Sequence, residues 1–132
     1  MIDRIHHINF IVRDLETAIP AWEGILDREI TSRDRLENRG VDIARFDLGQ
    51  IWIVLVQPTR PGTPPAEHME HHGEGFFLMS LETDALQDEV RRLGESMFDG
   101  RVRDGLDDWR VRDIAIGKTF GAQLQLIESE GR

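Results

Sequence analysis

The chain has no cysteine. Disulfide cross-links, thiolate zinc sites and cysteine nucleophiles are thereby excluded, and any metal must be held by His, carboxylate or amide ligands. There is also no apolar run near the ~20 residues needed to cross a bilayer, and Met1-Ile2-Asp3-Arg4-Ile5-His6-His7 is too polar for a secretory signal. These absences predict a cytoplasmic protein with no membrane partner. Positive charge is scarce: 16 Lys and Arg stand against 25 Asp and Glu, a formal net charge of −9. Such a surface repels nucleic acid phosphates and anionic headgroups, so nucleic acid is excluded as a partner and the expected ligand is a small molecule.

What is present fits one domain of 132 residues. Linker-like composition is confined to Pro58 to Gly75, where Pro58, Pro61, Pro64 and Pro65 with three glycines predict a connection rather than a regular helix. On each side of it the same order of elements is predicted. In the first half Ile5 to Val12 reads as a strand. Asp14 then caps a helix from Leu15 to about Leu26, with Leu15, Ile19 and Trp22 at helical spacing and Pro20 expected to kink it. Strands follow around Glu29 to Arg35, Val41 to Leu48 and Ile51 to Gln57, with Gly49-Gln50 as a tight turn.

In the second half Phe76 to Leu81 reads as a strand, Asp84 as a cap, and Leu86, Val90 and Leu93 as one helix face that stops at Gly94. Strands are expected around Met97 to Val102, Trp109 to Ile116 and Ala122 to Ile127. Leu15 and Leu86, Ile19 and Val90, Ile53 and Leu124, and Leu55 and Leu126 are each 71 positions apart, a constant offset that implies duplication. The predicted class is therefore α+β: two tandem βαβββ units, residues 1–58 and 75–132 joined by a linker at 59–74, forming a curved mixed sheet around a cleft with helices outside.

The segments His7-Ile8-Asn9-Phe10-Ile11-Val12-Arg13-Asp14-Leu15, Ile53-Val54-Leu55-Val56-Gln57-Pro58 and Gly121-Ala122-Gln123-Leu124-Gln125-Leu126 resemble the vicinal oxygen chelate superfamily. That superfamily includes glyoxalase I, methylmalonyl-CoA epimerase, extradiol dioxygenases and fosfomycin and bleomycin resistance proteins. The resemblance covers essentially the whole chain. It implies a homodimer, a small-molecule ligand, and lyase or isomerase chemistry next to a carbonyl. It also implies a divalent ion held by one residue from the first and last strand of each unit. Carried over, those positions are His7, Val54, Leu78 and Gln125. Only His7 and Gln125 carry lone pairs, so the implied metal site is incomplete.

Strand alternation places Asn9 with His7, Trp52 with Val54, Phe76, Ser80 and Glu82 with Leu78, and Gln123 with Gln125 on the cleft face. Asn9, Trp52, Phe76, Ser80 and Gln123 are the expected ligand contacts. For catalysis, His7 suits a proton shuttle near neutral pH, and Glu82 a base if burial raises its pKa. Two functions stay open: a glyoxalase-like or epimerase-like enzyme, and a metal-free protein that sequesters an apolar molecule, as bleomycin resistance proteins do. His6 has the opposite parity to His7 and is expected to face the helix layer or the chain's edge. The run from His68 to His72 is expected to be a connecting loop, and Gly105 to Arg110 a turn entering an edge strand.

Overall fold

The computed structural model describes residues 1–129. Its elements run β1 (Ile2–Ile11), α1 (Leu15–Leu26), β2 (Ser32–Leu36), β3 (Val41–Asp47), β4 (Trp52–Pro58), α2 (Pro64–His72), β5 (Gly75–Thr83), α3 (Leu86–Leu93), β6 (Phe98–Asp104), β7 (Arg110–Ile114) and β8 (Leu124–Glu128), with 3-10 turns at Glu95–Met97 and Ile116–Thr119. The α+β class and the two βαβββ units are those expected. By compactness the chain divides into a unit of His7–Phe77 and a unit that joins Met1–His6 to the described residues from Leu78 onward. The division thus falls inside β1, and the first six residues belong with the second unit.

Within the first unit β1 runs parallel to β4, and β4, β3 and β2 follow as antiparallel neighbours. One face is covered by α1. Leu15 and Ile19 on the helix pack with Val12, Ala44, Phe46 and Leu55, and Phe10, Trp22 and Ile53 close around them. Each such buried side chain contributes about 1.5–3 kcal/mol through removal of apolar surface from water. The helix starts where expected: Asp14 accepts a hydrogen bond from Glu16 N at 3.1 Å, and Gln57 Oε1 accepts one from Leu15 N at 2.8 Å. Pro20 lies inside α1 on its exposed side, and the helix continues past it to Leu26.

The second unit repeats this arrangement. β5 runs parallel to β8, β7 and β6 follow antiparallel, and Leu86 and Val90 of α3 pack with Phe98, Ile114 and Leu126. The pairing registers are related by the same offset. Ile8 pairs with Ile53 and Phe10 with Leu55; adding 71 gives the pairs Met79 with Leu124 and Leu81 with Leu126, both observed. Even the helix start is repeated, because Leu86 N donates to Glu128 Oε1 at 2.7 Å, the positions 71 beyond Leu15 and Gln57.

Two local expectations are corrected. Asp84 does not cap α3: the cap position is Ala85, which has no capping side chain, and Asp84 instead meets the Met1 ammonium at 2.8 Å. Glu128 and the Thr83 hydroxyl, which accepts from Ala85 N at 3.2 Å, serve that end of the helix. The proline-rich connection also contains a nine-residue helix, α2. Its two prolines sit in the first turn, where no backbone N–H is needed by the helix, and Thr63 Oγ1 accepts from Ala66 N at 3.3 Å. His68 and His72 consequently share one helix face, with ring centroids 4.7 Å apart, and His68 also packs on Phe77.

Candidate functional site

In the first unit the face of the sheet opposite α1 carries His7, Asn9 and Ile11 from β1, Trp52, Val54 and Val56 from β4, and Ile43 and Arg45 from β3, because their neighbours of opposite parity pack beneath the helix. Register aligns Asn9, Val54, Arg45 and Ser32 in one row across the four strands. His7 and Val54 are buried. Arg45 is only 6 % exposed; its Nε donates to Ser32 Oγ at 2.9 Å, and its guanidinium carbon lies 4.6 Å from the centre of the Trp52 ring. Trp52 is the register partner of His7. This expected ligand contact therefore has a cation stacked on one side of its ring.

Two buried acceptors in this unit, Asn9 Oδ1 and Asp34 Oδ2, have no hydrogen-bond donor among the described residues. Asp34 is the β2 partner of Ile43, in the row beside that of Arg45. An unmet buried acceptor costs about 1–3 kcal/mol, and such atoms mark where a ligand donor is useful. Phe76 is placed differently from the other expected contacts. It is 51 % exposed, and its ring meets the edge of Phe10, whose other neighbour is Trp22 of α1.

The second unit carries the equivalent row. Asn9, Val54 and Arg45 correspond by register to Ser80, Gln125 and Asp113. These three side chains are joined: the Ser80 hydroxyl donates to Gln125 Oε1, Gln125 Nε2 donates to Asp113 Oδ1 at 3.2 Å, and Arg103 clamps both Asp113 oxygens at 2.7 and 3.2 Å. Leu78 is buried hydrocarbon on the same strand face as Ser80. Glu82, also buried, lies 3.2 Å from Arg4 Nε through Oε1 and accepts from Ser129 Oγ at 3.0 Å through Oε2. Gln123 precedes β8, and its backbone oxygen accepts from Met79 N at 3.1 Å. His6, fully buried, is edge-on to Trp109 at 4.5 Å.

The structure thus brings His7, Asn9 and Trp52 together in one unit and Ser80, Glu82, Gln125 and Leu78 in the other. Sequence reasoning missed Arg45, Asp113 and Arg103. Arg45 had a signal: it stands in a strand whose same-face neighbours Val41 and Ile43 are apolar, so an inward guanidinium was required by alternation. Among the described residues no group of three or more His, Asp or Glu side chains converges as a metal site. Nor is any helix there long and apolar enough to cross a membrane.

Comparison with known proteins agrees with the fold. Residues 6–112 match the family model for the glyoxalase/bleomycin resistance protein/dioxygenase superfamily. The fosfomycin resistance protein FosX of Mesorhizobium japonicum is 33 % identical over 105 residues, 78 % of this chain and 71 % of that protein. The Bacillus subtilis protein YqjC is 22 % identical over 133 residues, 98 % of this chain and 95 % of that protein. Among solved structures, Streptomyces coelicolor methylmalonyl-CoA epimerase in complex with 2-nitronate-propionyl-CoA superposes with a TM-score of 0.89 at 19 % identity, covering 99 % of this chain and 100 % of that one.

Proposed function

The chain belongs to the glyoxalase/bleomycin resistance protein/dioxygenase superfamily, and we propose that within it the protein is a small-molecule enzyme of lyase or isomerase type, acting next to a carbonyl with a degenerate metal site. The observation that carries this reading is His7, a buried imidazole at the family's first ligand position, beside Asn9 on a strand face lined with Val54, Val56 and Ile11. Neutral imidazole takes a proton from the carbon beside the carbonyl, the electron pair of that bond moves onto the carbonyl oxygen, and return of the proton to the same carbon or loss of a neighbouring group completes the reaction. The other proton acceptor we propose, Glu82, belongs to the second unit, where Arg4 and Ser129 hold its carboxylate.

The residues present do not fit the family's divalent ion. Val54 and Leu78 offer no lone pair, and Gln125 Oε1, which would have to face the metal, accepts the Ser80 hydroxyl instead. A hard or borderline ion needs three or more good ligands, which these four positions do not supply. The test is deuterium incorporation at the carbon beside the carbonyl in a panel of racemic 2-substituted acyl thioesters and hemithioacetals, with metal analysis of the protein. Incorporation that His7→Gln abolishes is expected; no incorporation across the panel, with or without added divalent metals, contradicts the proposal.

A second reading is supported by the same hydrocarbon pair: a metal-free protein that sequesters an apolar compound. Thermal stabilisation by hydrophobic antibiotics that survives a chelator is its expected result, and stabilisation lost with chelator removes it. In either reading we propose a homodimer, for which sedimentation should return twice the mass of 15.2 kDa.

A further inference from the structure

We propose that Asp99-Gly100, on the exposed bulge of β6, is a site of spontaneous covalent modification in the folded protein, where the Gly100 nitrogen closes an imide on the Asp99 side chain and hydrolysis leaves an isoaspartate. The chain has two Asp-Gly steps, Asp99-Gly100 and Asp104-Gly105, one inside β6 and one at its end. Glycine hinders attack by its own nitrogen least of all residues, so local sequence alone makes both steps reactive. The fold separates them.

The reaction joins the Gly100 backbone nitrogen to Asp99 Cγ: the nitrogen loses its proton, the protonated carboxyl loses its hydroxyl, and a water molecule leaves. Solvent water then opens the imide. Attack at the side-chain carbonyl restores aspartate, whereas attack at the main-chain carbonyl leaves the backbone running through the side chain with the mass unchanged. The ring closes only when the nitrogen faces Cγ, so Asp99 must rotate out of its extended conformation in a local opening of the strand.

Three observations favour that opening at Gly100. The ladder pairs Asp99 with Asp113 and next Arg103 with Val111, so Gly100 to Val102 bulge from a strand whose neighbour in its unit is β7 alone. Ala115 N donates to Met97 O at 2.9 Å; antiparallel alternation then makes Asp99 and Asp113 the next bonded pair and turns the Gly100 N–H away from β7. Asp99 and Gly100 are both exposed, and a Cβ at Gly100, whose φ is +59°, would meet nothing within 4 Å. The tie on Gly100 is through its oxygen, which accepts from Arg112 Nη2 at 2.9 Å and does not engage the nitrogen. Gly105 is held differently. Its N–H donates to Trp109 O at 2.7 Å, and it lies so close to the buried Trp109 that a Cβ there would be 3.2 Å from Trp109 Cβ. At Asp104 the attacking nitrogen is therefore already committed to a hydrogen bond in a packed turn.

The test is prolonged incubation of the full chain at neutral pH in heavy-oxygen water, followed by tryptic mapping, for which Arg101 and Arg103 put the two steps in separate peptides. Electron-transfer fragmentation distinguishes isoaspartate from aspartate, and each ring opening leaves a solvent oxygen in the residue. In the folded protein isoaspartate should accumulate severalfold faster at Asp99 than at Asp104, and in denaturant the two rates should converge. Asp99→Glu should remove the signal at its step, because the longer side chain closes a less favourable ring. Isoaspartate at Asp104 equal to or above that at Asp99 in the folded protein, or none at Asp99, would overturn the proposal. So would an undiminished excess at Asp99 in denaturant, which would place the preference in the local sequence and not in the fold.

Discussion

The two units place equivalent positions in equivalent registers and fill them with opposite chemistry. In the second unit Ser80, Gln125, Asp113 and Arg103 form one hydrogen-bonded line in which every partner is supplied by the protein. In the first unit the corresponding line runs from Asn9 through hydrocarbon at Val54 to a buried cation at Arg45, and Asn9 Oδ1 is left without a donor among the described residues. A row whose polar atoms satisfy one another holds a sheet together, whereas a row with an unmet acceptor leaves a buried polar atom open. After duplication the two copies diverged at this row.

The largest effect should leave the comparison intact, because the apolar layer is what the units share. Leu55 and Leu126, both with no exposed surface and 71 positions apart, pack under α1 and α3. Leu55→Ala and Leu126→Ala should each cost about 3 kcal/mol in chemical denaturation. A cost under about 1 kcal/mol at one of them would mean that the cores are not equivalent. The next effect should separate the rows. Gln125→Val copies the first unit's residue into the second and removes the acceptor of the Ser80 hydroxyl and one of the donors to Asp113, for a loss of about 1–3 kcal/mol. No loss would show that the Ser80–Gln125–Asp113 line is not structural.

The smallest effect is a pH dependence that the first unit lacks at the equivalent position. Hydrogen bonds from the Arg92 guanidinium, helped by the Met1 ammonium, hold the Glu89 carboxyl below the ordinary carboxylate range despite its burial; the first unit has Ala18 at the equivalent place. A depressed folded-state pKa gives stability that is fully present above the unfolded value of 4.5 and lost as pH falls through the folded one. The midpoint of thermal unfolding should therefore fall less steeply below pH 4.5 in Glu89→Gln than in the parent chain. The Met1 ammonium has the opposite sign. Its pKa is raised above 8.0 chiefly by the Asp84 carboxylate, then by Glu89, so its contribution is present below pH 8.0 and disappears as pH rises through the raised value. An acetylated amino terminus should abolish that alkaline dependence.

Much of this arrangement is legible in the sequence, and the gaps have physical causes. The helix at Leu15–Leu26 follows from period and capping, and the matching registers of β1 with β4 and β5 with β8 are consistent with the 71-residue offset. The partner of Arg45 in the second unit was not legible, because the offset changes. Asp113 lies 68 positions beyond Arg45, where 71 points to Ile116; the second unit is three residues shorter between α3 and β7, and the longer connection between β7 and β8, with its 3-10 turn at Ile116–Thr119, restores the offset of 71 at β8. Compensating changes in connection length shift the equivalence of the strands between them while leaving the strand pattern unchanged. α2 was hidden for another reason: Pro64 and Pro65 read as breakers, yet at the first turn they lose nothing. Glu82 was legible as an inward carboxylate, but not its neighbour Arg4, which lies 78 residues earlier in the chain and contacts it only through the fold.

The difference between the rows is tested most directly by the thermal midpoint of Asp113→Ala. The account predicts a lower midpoint, because Gln125 Nε2 and the Arg103 guanidinium lose their common acceptor. A midpoint equal to that of the parent chain would contradict it.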